Sequence, residues 1–324
     1  MATLIVRQDK IGDLVLATPV AEAVKRAAPG ERIYFMCSSY ASAVLRGNPH
    51  VDQIVEIDPG EGPSSIAKKI DGLHPKPERA IVLFPTLNVA LAVFMARIPV
   101  RCSTGFRWYQ PLFNRLTILR RSKALYKEWE YNLMIARLAF PRIDPCAYRP
   151  KVFPTAEARE KAEKLIKGLP KPLILVYPGG GGEKRWPVER FKGLCQKISH
   201  IGTPLVVLGP SERDLEKEFD RWPMAAGLNL EELMGLIALC DGMVSNNTGP
   251  MHIAAALEKP LVQIFDPRRA CNPKRWGHEY KKSSILYPPV PACKGCRPDC
   301  PYGDCMDLID EEWVFRELER CLAA

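Results

Sequence analysis

Hydrophobic and polar positions fall into two kinds of block along this chain. Short apolar runs of strand length (Thr3–Arg7, Arg32–Cys37, Gln53–Ile57 and Ala80–Phe84) are separated by stretches whose apolar residues recur three or four positions apart. That spacing predicts helices over Leu14–Ala28, Ser64–Gly72 and Leu87–Ala96, with Val15, Pro19, Val20, Ala23 and Val24 on one face. Strand and helix in alternation imply a parallel sheet with helices on both sides. From Phe140 to Pro172 prolines accumulate around a charged helix at Ala156–Lys167, which reads as a connection between domains. A second series follows, with strands at Leu173–Tyr177, Leu205–Leu208, Gly242–Ser245 and Leu261–Phe265. Helices are expected between them, at Val188–His200, Arg213–Phe219, Leu230–Leu239 and Met251–Leu257. The expected fold is α/β, with two Rossmann-like domains, 1–150 and 151–324, facing a central cleft.

Composition narrows the class. With 324 residues, 47% hydrophobic and 26% charged, the chain is of ordinary globular type and long enough for two cores. No apolar run reaches the length of a membrane span, and Ala2–Val6 is too short for a signal peptide, so a cytoplasmic location is expected. Seven of the eleven cysteines are scattered through apolar surroundings as core residues would be, and four cluster. The net charge of +9 is uneven: no acidic residue occurs between Glu78 and Glu128, an interval holding Arg97, Arg107, Arg115, Arg120, Arg121 and Lys123 among aromatic side chains. Such a segment suits an anionic membrane surface or a phosphorylated glycolipid. No helix-turn-helix or aromatic-basic RNA signature accompanies it, which argues against a nucleic-acid partner.

Three segments carry candidate chemistry. Ser245-Asn246-Asn247-Thr248-Gly249-Pro250-Met251-His252 follows a strand and opens a helix, where unpaired N–H groups and the helix dipole attract phosphate. Val176-Tyr177-Pro178-Gly179-Gly180-Gly181-Gly182-Glu183-Lys184-Arg185-Trp186-Pro187 places four glycines after a strand and two cations before a helix, a cradle for a diphosphate. Near the N-terminus, Arg7-Gln8-Asp9-Lys10-Ile11-Gly12-Asp13 places Asp13 where the first helix begins. Asp13 is either a general base or a helix cap, and the segment alone leaves both open. A base of this type needs burial or a carboxylate neighbour to work near neutral pH. No Asp-x-Asp pair occurs, which argues against a metal-bridged diphosphate.

Together the segments resemble glycosyltransferase family 9, the heptosyltransferases of bacterial lipopolysaccharide core assembly. Arg7, Asp9, Ile11, Gly12 and Asp13 match one family pattern; Pro178, Gly179, Lys184, Trp186 and Pro187 a second; Thr248 to His252 a third. The resemblance implies a GT-B fold whose C-terminal helix packs back on the first domain, and an inverting, metal-independent transfer. The donor would be ADP-heptose, and the acceptor an anionic, lipid-A-linked core sugar met at the inner face of the cytoplasmic membrane. It makes Asp13 the base and assigns Gly179, Gly180, Lys184, Asn247, Thr248, Gly249 and His252 to the donor. Acceptor recognition falls to first-domain loops, where Arg107, Arg120 and Arg121 are the candidates. One departure stands out: the family's aspartate before Thr-Gly is Asn247 here, which keeps the shape but exchanges a charge for a donor. A sugar other than heptose, or a catalytically silent nucleotide-sugar-binding relative, is the alternative that this exchange raises.

The clustered cysteines have the spacing Cys293-x2-Cys296-x3-Cys300-x4-Cys305. Structural zinc, an iron–sulfur cluster, two local disulfides and free thiols are all compatible with it. No cofactor is expected for catalysis itself. Asp310–Leu322 closes the chain as a charged helix capped by Asp310.

Overall fold

The computed structural model describes residues 1–180, 184–297 and 299–324. Gly181, Gly182 and Glu183 of the glycine segment, and Pro298 of the cysteine segment, lie outside the described residues. The chain divides into two compact units, Met1–Phe153 and Pro154–Ala324.

The first unit runs β1 (Ala2–Val6), α1 (Ile11–Val15), α2 (Pro19–Ala27), β2 (Arg32–Ser38), β3 (Gln53–Ile57), α3 (Pro63–Asp71), β4 (Arg79–Val82), α4 (Leu87–Met95), β5 (Val100–Thr104), β6 (Arg115–Thr117) and α5 (Glu128–Ala136). Its strands form one parallel sheet in the order β3-β2-β1-β4-β5-β6. The single helix expected over Leu14–Ala28 is two. The amide of Leu16 closes on Gly12 O, and Pro19, which has no N–H to donate, starts α2 afresh.

The second unit runs α6 (Ala156–Leu165), β7 (Leu173–Tyr177), α7 (Val188–Ile198), β8 (Thr203–Leu208), β9 (Met224–Ala226), α8 (Leu230–Leu239), β10 (Gly242–Asn246), α9 (Gly249–Ala256), β11 (Leu261–Ile264), α10 (Pro273–Trp276), β12 (Ser283–Leu286) and α11 (Glu311–Ala323). The stretch expected as a helix at Arg213–Phe219 lies in a run of 3-10 turns, Pro210–Phe219. The sheet is parallel in the order β12-β11-β10-β7-β8-β9. Numbered within its own unit, each sheet has the order 3-2-1-4-5-6, the Rossmann arrangement. β1, β7, β8, β10 and β11 are buried along their whole length, as central parallel strands covered on both faces must be.

One expectation about helices is corrected. α6 is part of the second unit and not a connection. It packs on α8 so closely that a Cβ on Gly235 would stand 2.2 Å from Ala158 O. α11 belongs to the second unit. Val314, Leu318 and Cys321 enter the core with Ile174, Val244 and Val262, and Arg190–Glu311 (2.6 Å) and Lys197–Glu312 (2.6 Å) tie the helix to α7. Of the seven scattered cysteines, Cys37, Cys102, Cys195, Cys240 and Cys321 are buried, whereas Cys146 is exposed and Cys271 half-buried. Burial pushes the Cys37, Cys195 and Cys240 thiols up to about 12, so they remain protonated core groups.

Candidate active site

In an open α/β sheet, ligands bind beyond the carboxyl ends of the strands where the strand order reverses. In the first unit that point lies between β1 and β4, and in the second between β7 and β10. The described parts of the segments singled out in the sequence occupy these loops: Arg7–Asp13 leaves β1, Pro178–Gly180 leaves β7 and Asn247–Gly249 leaves β10.

In the first unit Arg7, only 2% exposed, gathers the loop. Its guanidinium meets Asp9 through Nε (2.6 Å) and Nη2 (2.8 Å), Asp13 through Nη2 (2.5 Å), and Glu128 (3.2 Å) and Asn132 (3.1 Å) through Nη1. Burial disfavours the arginine's charge, but Asp9, Asp13 and Glu128 outweigh it and hold Arg7 above its ordinary range. Asp13 is not the helix cap, because Lys10 is the capping residue and Asp13 sits within the first turn. Its side chain remains 17% exposed, and it has its carboxylate neighbour in Asp9 on the same guanidinium. An oriented, partly open carboxylate is what a proton acceptor requires.

Arg121, expected at the acceptor, braces this cluster. It reaches Glu128 (3.4 Å), Asn132 (3.2 Å) and Leu83 O (3.3 Å). Arg107 and Arg120 are exposed. Around them Phe106 (63% exposed), Trp108 (80%), Ile118 and Leu125 also face solvent. A cavity of about 240 Å³ lies beyond the ends of β2 to β4, lined by Gln8, Ser38, Asp58, Glu61, Thr86 and Asn88 among others. Gln8 Nε2 donates to Phe84 O (3.2 Å) and Thr86 (3.3 Å), while its Oε1 is buried without a hydrogen-bond partner.

In the second unit, Asn246 rather than Asn247 fastens the two loops together. Asn246 Nδ2 donates to Pro178 O (3.1 Å) and Gly179 O (3.2 Å), and its Oδ1 accepts from Trp186 N (3.2 Å). Asn247 is held only through its backbone, N to Ile264 O (2.9 Å), and its half-buried amide makes no hydrogen bond among the described residues. Gly180 adopts φ 145°, and a Cβ there would stand 3.0 Å from Thr248 Cγ2. Thr248 is the N-cap of α9 without a side-chain cap, its hydroxyl turned to Ser245 at 3.2 Å. The N–H groups of Gly249 and Met251 therefore have no partner within the helix. Lys184 pairs with Asp304 (3.1 Å), and that hydrogen bond raises its pKa against a slight burial penalty.

His252 is 4% exposed on α9, its Nδ1 2.9 Å from His278 Nε2. Burial lowers its pKa to about 3. It is neutral at pH 7 and offers a ligand no positive charge.

Sequence reasoning misses two features here. Glu212, 5% exposed, lies against the glycine loop: a Cβ on Gly179 would come within 2.7 Å of its carboxyl carbon, and Gly180 N donates to it at 3.4 Å. It sits in a run of charged residues that reads as a solvated helix. The other is a cavity of about 540 Å³ at the ends of β11 and β12, lined by Arg269, Lys274, Glu279, Tyr280 and Tyr287 among others. Its only signal in the sequence is the density of basic residues after Asp266. The cysteine quartet carries no disulfide, and among the described residues no three His, Cys, Asp or Glu side chains close on one point as metal ligands.

The model of glycosyltransferase family 9 (heptosyltransferase) matches residues 73–297. Lipopolysaccharide heptosyltransferase 2 of Salmonella typhimurium is 27% identical over 296 residues, covering 82% of this chain and 83% of that protein. The Escherichia coli K12 protein of the same name is 26% identical, with 82% and 83% covered. Among solved structures, a family 9 glycosyltransferase from Veillonella parvula superposes with a TM-score of 0.85 at 20% identity, covering 99% of this chain and 97% of its own. The E. coli ADP-heptose lps heptosyltransferase II superposes at 0.81 with 22% identity, covering 100% and 99%. These neighbours share the expected GT-B fold.

Proposed function

The chain belongs to glycosyltransferase family 9, the heptosyltransferases, and on that premise we propose that it moves a heptose from ADP-heptose to a lipopolysaccharide-core-type acceptor with inversion. The reading gives 1–153 to the acceptor and 154–324 to the nucleotide sugar. The observation that carries it is the matched placement of chemistry at the two switch points: a carboxylate on the first, an anion cradle on the second.

Asp13 takes the proton of the acceptor hydroxyl as its oxygen attacks the anomeric carbon. The bond from that carbon to the diphosphate breaks, and ADP leaves with the electron pair. Lys184 and the first-turn amides of α9 meet the growing negative charge, the form of stabilisation most effective when donors are already in place. Glu212 would repel phosphate, and so suits hydroxyl groups of the ribose. His252, neutral, can offer only a hydrogen bond. Since Asn246 does the structural fastening, Asn247 is left to meet the transferred sugar, which supports an active site adapted to its donor over a silent one. The transfer uses no cofactor in this reading; an ion at the cysteine quartet would serve structure.

For the acceptor, Arg107 and Arg120 supply positive charge in the first unit. No helix among the described residues is long and apolar enough to cross a membrane. Exposed Phe106 and Trp108 beside Arg107 instead support a peripheral seat on the anionic inner-membrane surface, facing the cytoplasm.

Thermal shift against ADP, UDP, GDP, CDP and their sugar conjugates tests the donor assignment. ADP and ADP-heptose should raise the melting temperature selectively, and Lys184→Ala should remove the effect. A shift with UDP alone would replace the donor, and no shift with any nucleotide would overturn the site.

A further inference from the structure

The segment between β12 and α11 has no part in the transfer chemistry. From Cys293 to Asp304 the described residues contain no helix or strand, and none of their side chains is buried. A stretch of that kind removes too little apolar surface from water to offset the entropy lost on ordering it. Yet both ends are fixed. Cys293 N donates to Pro267 O (3.0 Å), and its carbonyl accepts from Arg269 N (2.8 Å). Cys305, 6% exposed, belongs to the core with Met306 and Ile309. Between them Cys300 N donates to Arg297 O (3.1 Å) and Gly303 N to Cys300 O (3.3 Å), folding the loop back on itself. All four thiols line one cavity of about 250 Å³. Lys184, Arg268 and Arg297 stand on the same wall, paired with Asp304 (3.1 Å), Asp266 (2.8 Å) and Asp299 (3.8 Å).

We propose that Cys293, Cys296, Cys300 and Cys305 form a structural metal site holding one tetrahedral divalent ion, zinc or ferrous iron. Thiolates are the ligands such ions prefer, and four of them close the coordination shell, leaving no position for substrate. Each thiol loses its proton on binding, so the ion with four thiolates carries a double negative charge. Each of the three cations is already paired with an aspartate, so they offset only part of that charge; Lys184 is the one that acts on the Cys305 thiolate. Cys293 and Cys305 are anchored in the fold, whereas Cys296 is exposed and Cys300 half-buried on a turn. The middle pair turns inward to complete the shell. The ion supplies the cross-link that the loop lacks in apolar burial. Because the loop also brings Asp304 to Lys184, its order reaches the donor-phosphate lysine, a consequence that rests on the donor assignment above.

The test is metal analysis of the purified full chain, with free-thiol titration and ADP affinity measured on the same samples. About one zinc or iron per chain is expected, with no acid-labile sulfide. A Cys296→Ser/Cys300→Ser double variant should lose it, and Cys146→Ser, away from the loop, should keep it. The middle pair is chosen because neither side chain is in the core; circular dichroism confirms that the variant is folded. Cobalt substitution should give the visible spectrum of a tetrahedral tetrathiolate. A folded protein without metal, a metal retained by the double variant, disulfides at the quartet, or iron with stoichiometric sulfide would each overturn the proposal. ADP affinity separates this result from the transferase reading. A chain that holds the ion but ignores ADP keeps the site and loses the donor assignment, and a chain that binds ADP without an ion does the reverse.

Discussion

At the scale of the residue, the account turns on charges that are buried in company. Arg7 offsets three carboxylates, one of them, Glu128, wholly buried. Replacing it by Met leaves those charges uncompensated, and the expected loss is about 3–5 kcal/mol, the cost typical of breaking a buried pair. Urea unfolding measures it, and a loss under about 1 kcal/mol, the range of exposed pairs, would contradict the bracing role. His252 makes a pH prediction. Its pKa in the folded protein is about 3, below the ordinary histidine value, so the unfolded chain takes up a proton first as pH falls. Its contribution is therefore complete above about 6.5, the pKa of a free histidine, and is lost progressively towards pH 3. His252→Asn should flatten the decline in melting temperature between pH 7 and pH 4; an unchanged slope would place the titration elsewhere.

At the scale of the element, most interior strands and the edge strand β3 were legible in the sequence, whereas the interior β5 was not. β7 is a continuous apolar run and β1 nearly so because both faces are covered, and the motifs leaving β1, β7 and β10 are local in sequence. β6, β9 and β12 are three or four residues long and lie at sheet edges, where half-exposed side chains erase the apolar signal. Asp13 was legible as a helix-start residue, but the other partners of the Arg7 that holds it were not: Glu128 and Asn132 come from α5, more than a hundred residues away. The same holds for Glu212, whose charged neighbours read as a solvated face, and for α11, whose amphipathic stripe fits any nearby sheet. The close approach of the β7 and β10 loops gives a prediction at this scale. Gly180→Ala places a methyl 3.0 Å from Thr248 Cγ2 at a φ that alanine resists. It should cost about 1–3 kcal/mol of stability, the range for a strained backbone, and weaken ADP binding. Unchanged ADP affinity, read by calorimetry, would separate the glycine loop from the donor.

At the scale of the whole molecule, two Rossmann units share one strand order, and the proposed membrane seat rests on the basic first-unit segment. Phe106→Ala/Trp108→Ala should reduce sedimentation with anionic phosphatidylglycerol vesicles several-fold. Wild-type binding should weaken as salt rises, because the Debye length contracts from about 10 Å at 0.1 M to about 3 Å at 1 M. Binding indifferent to both would leave the segment a solvated basic face.

The central claim is that Asp13 is the base for transfer of a sugar held by the second unit. Asp13→Asn keeps the side chain's shape and a contact to Arg7 while removing the proton acceptor. The most direct measurement is heptose transfer from ADP-heptose to a lipopolysaccharide-core acceptor by wild type and Asp13→Asn, with ADP affinity measured alongside. The account predicts a fall in kcat of about 100- to 10,000-fold, the range of general-base catalysis, with ADP binding unchanged. A variant that transfers at the wild-type rate would contradict it.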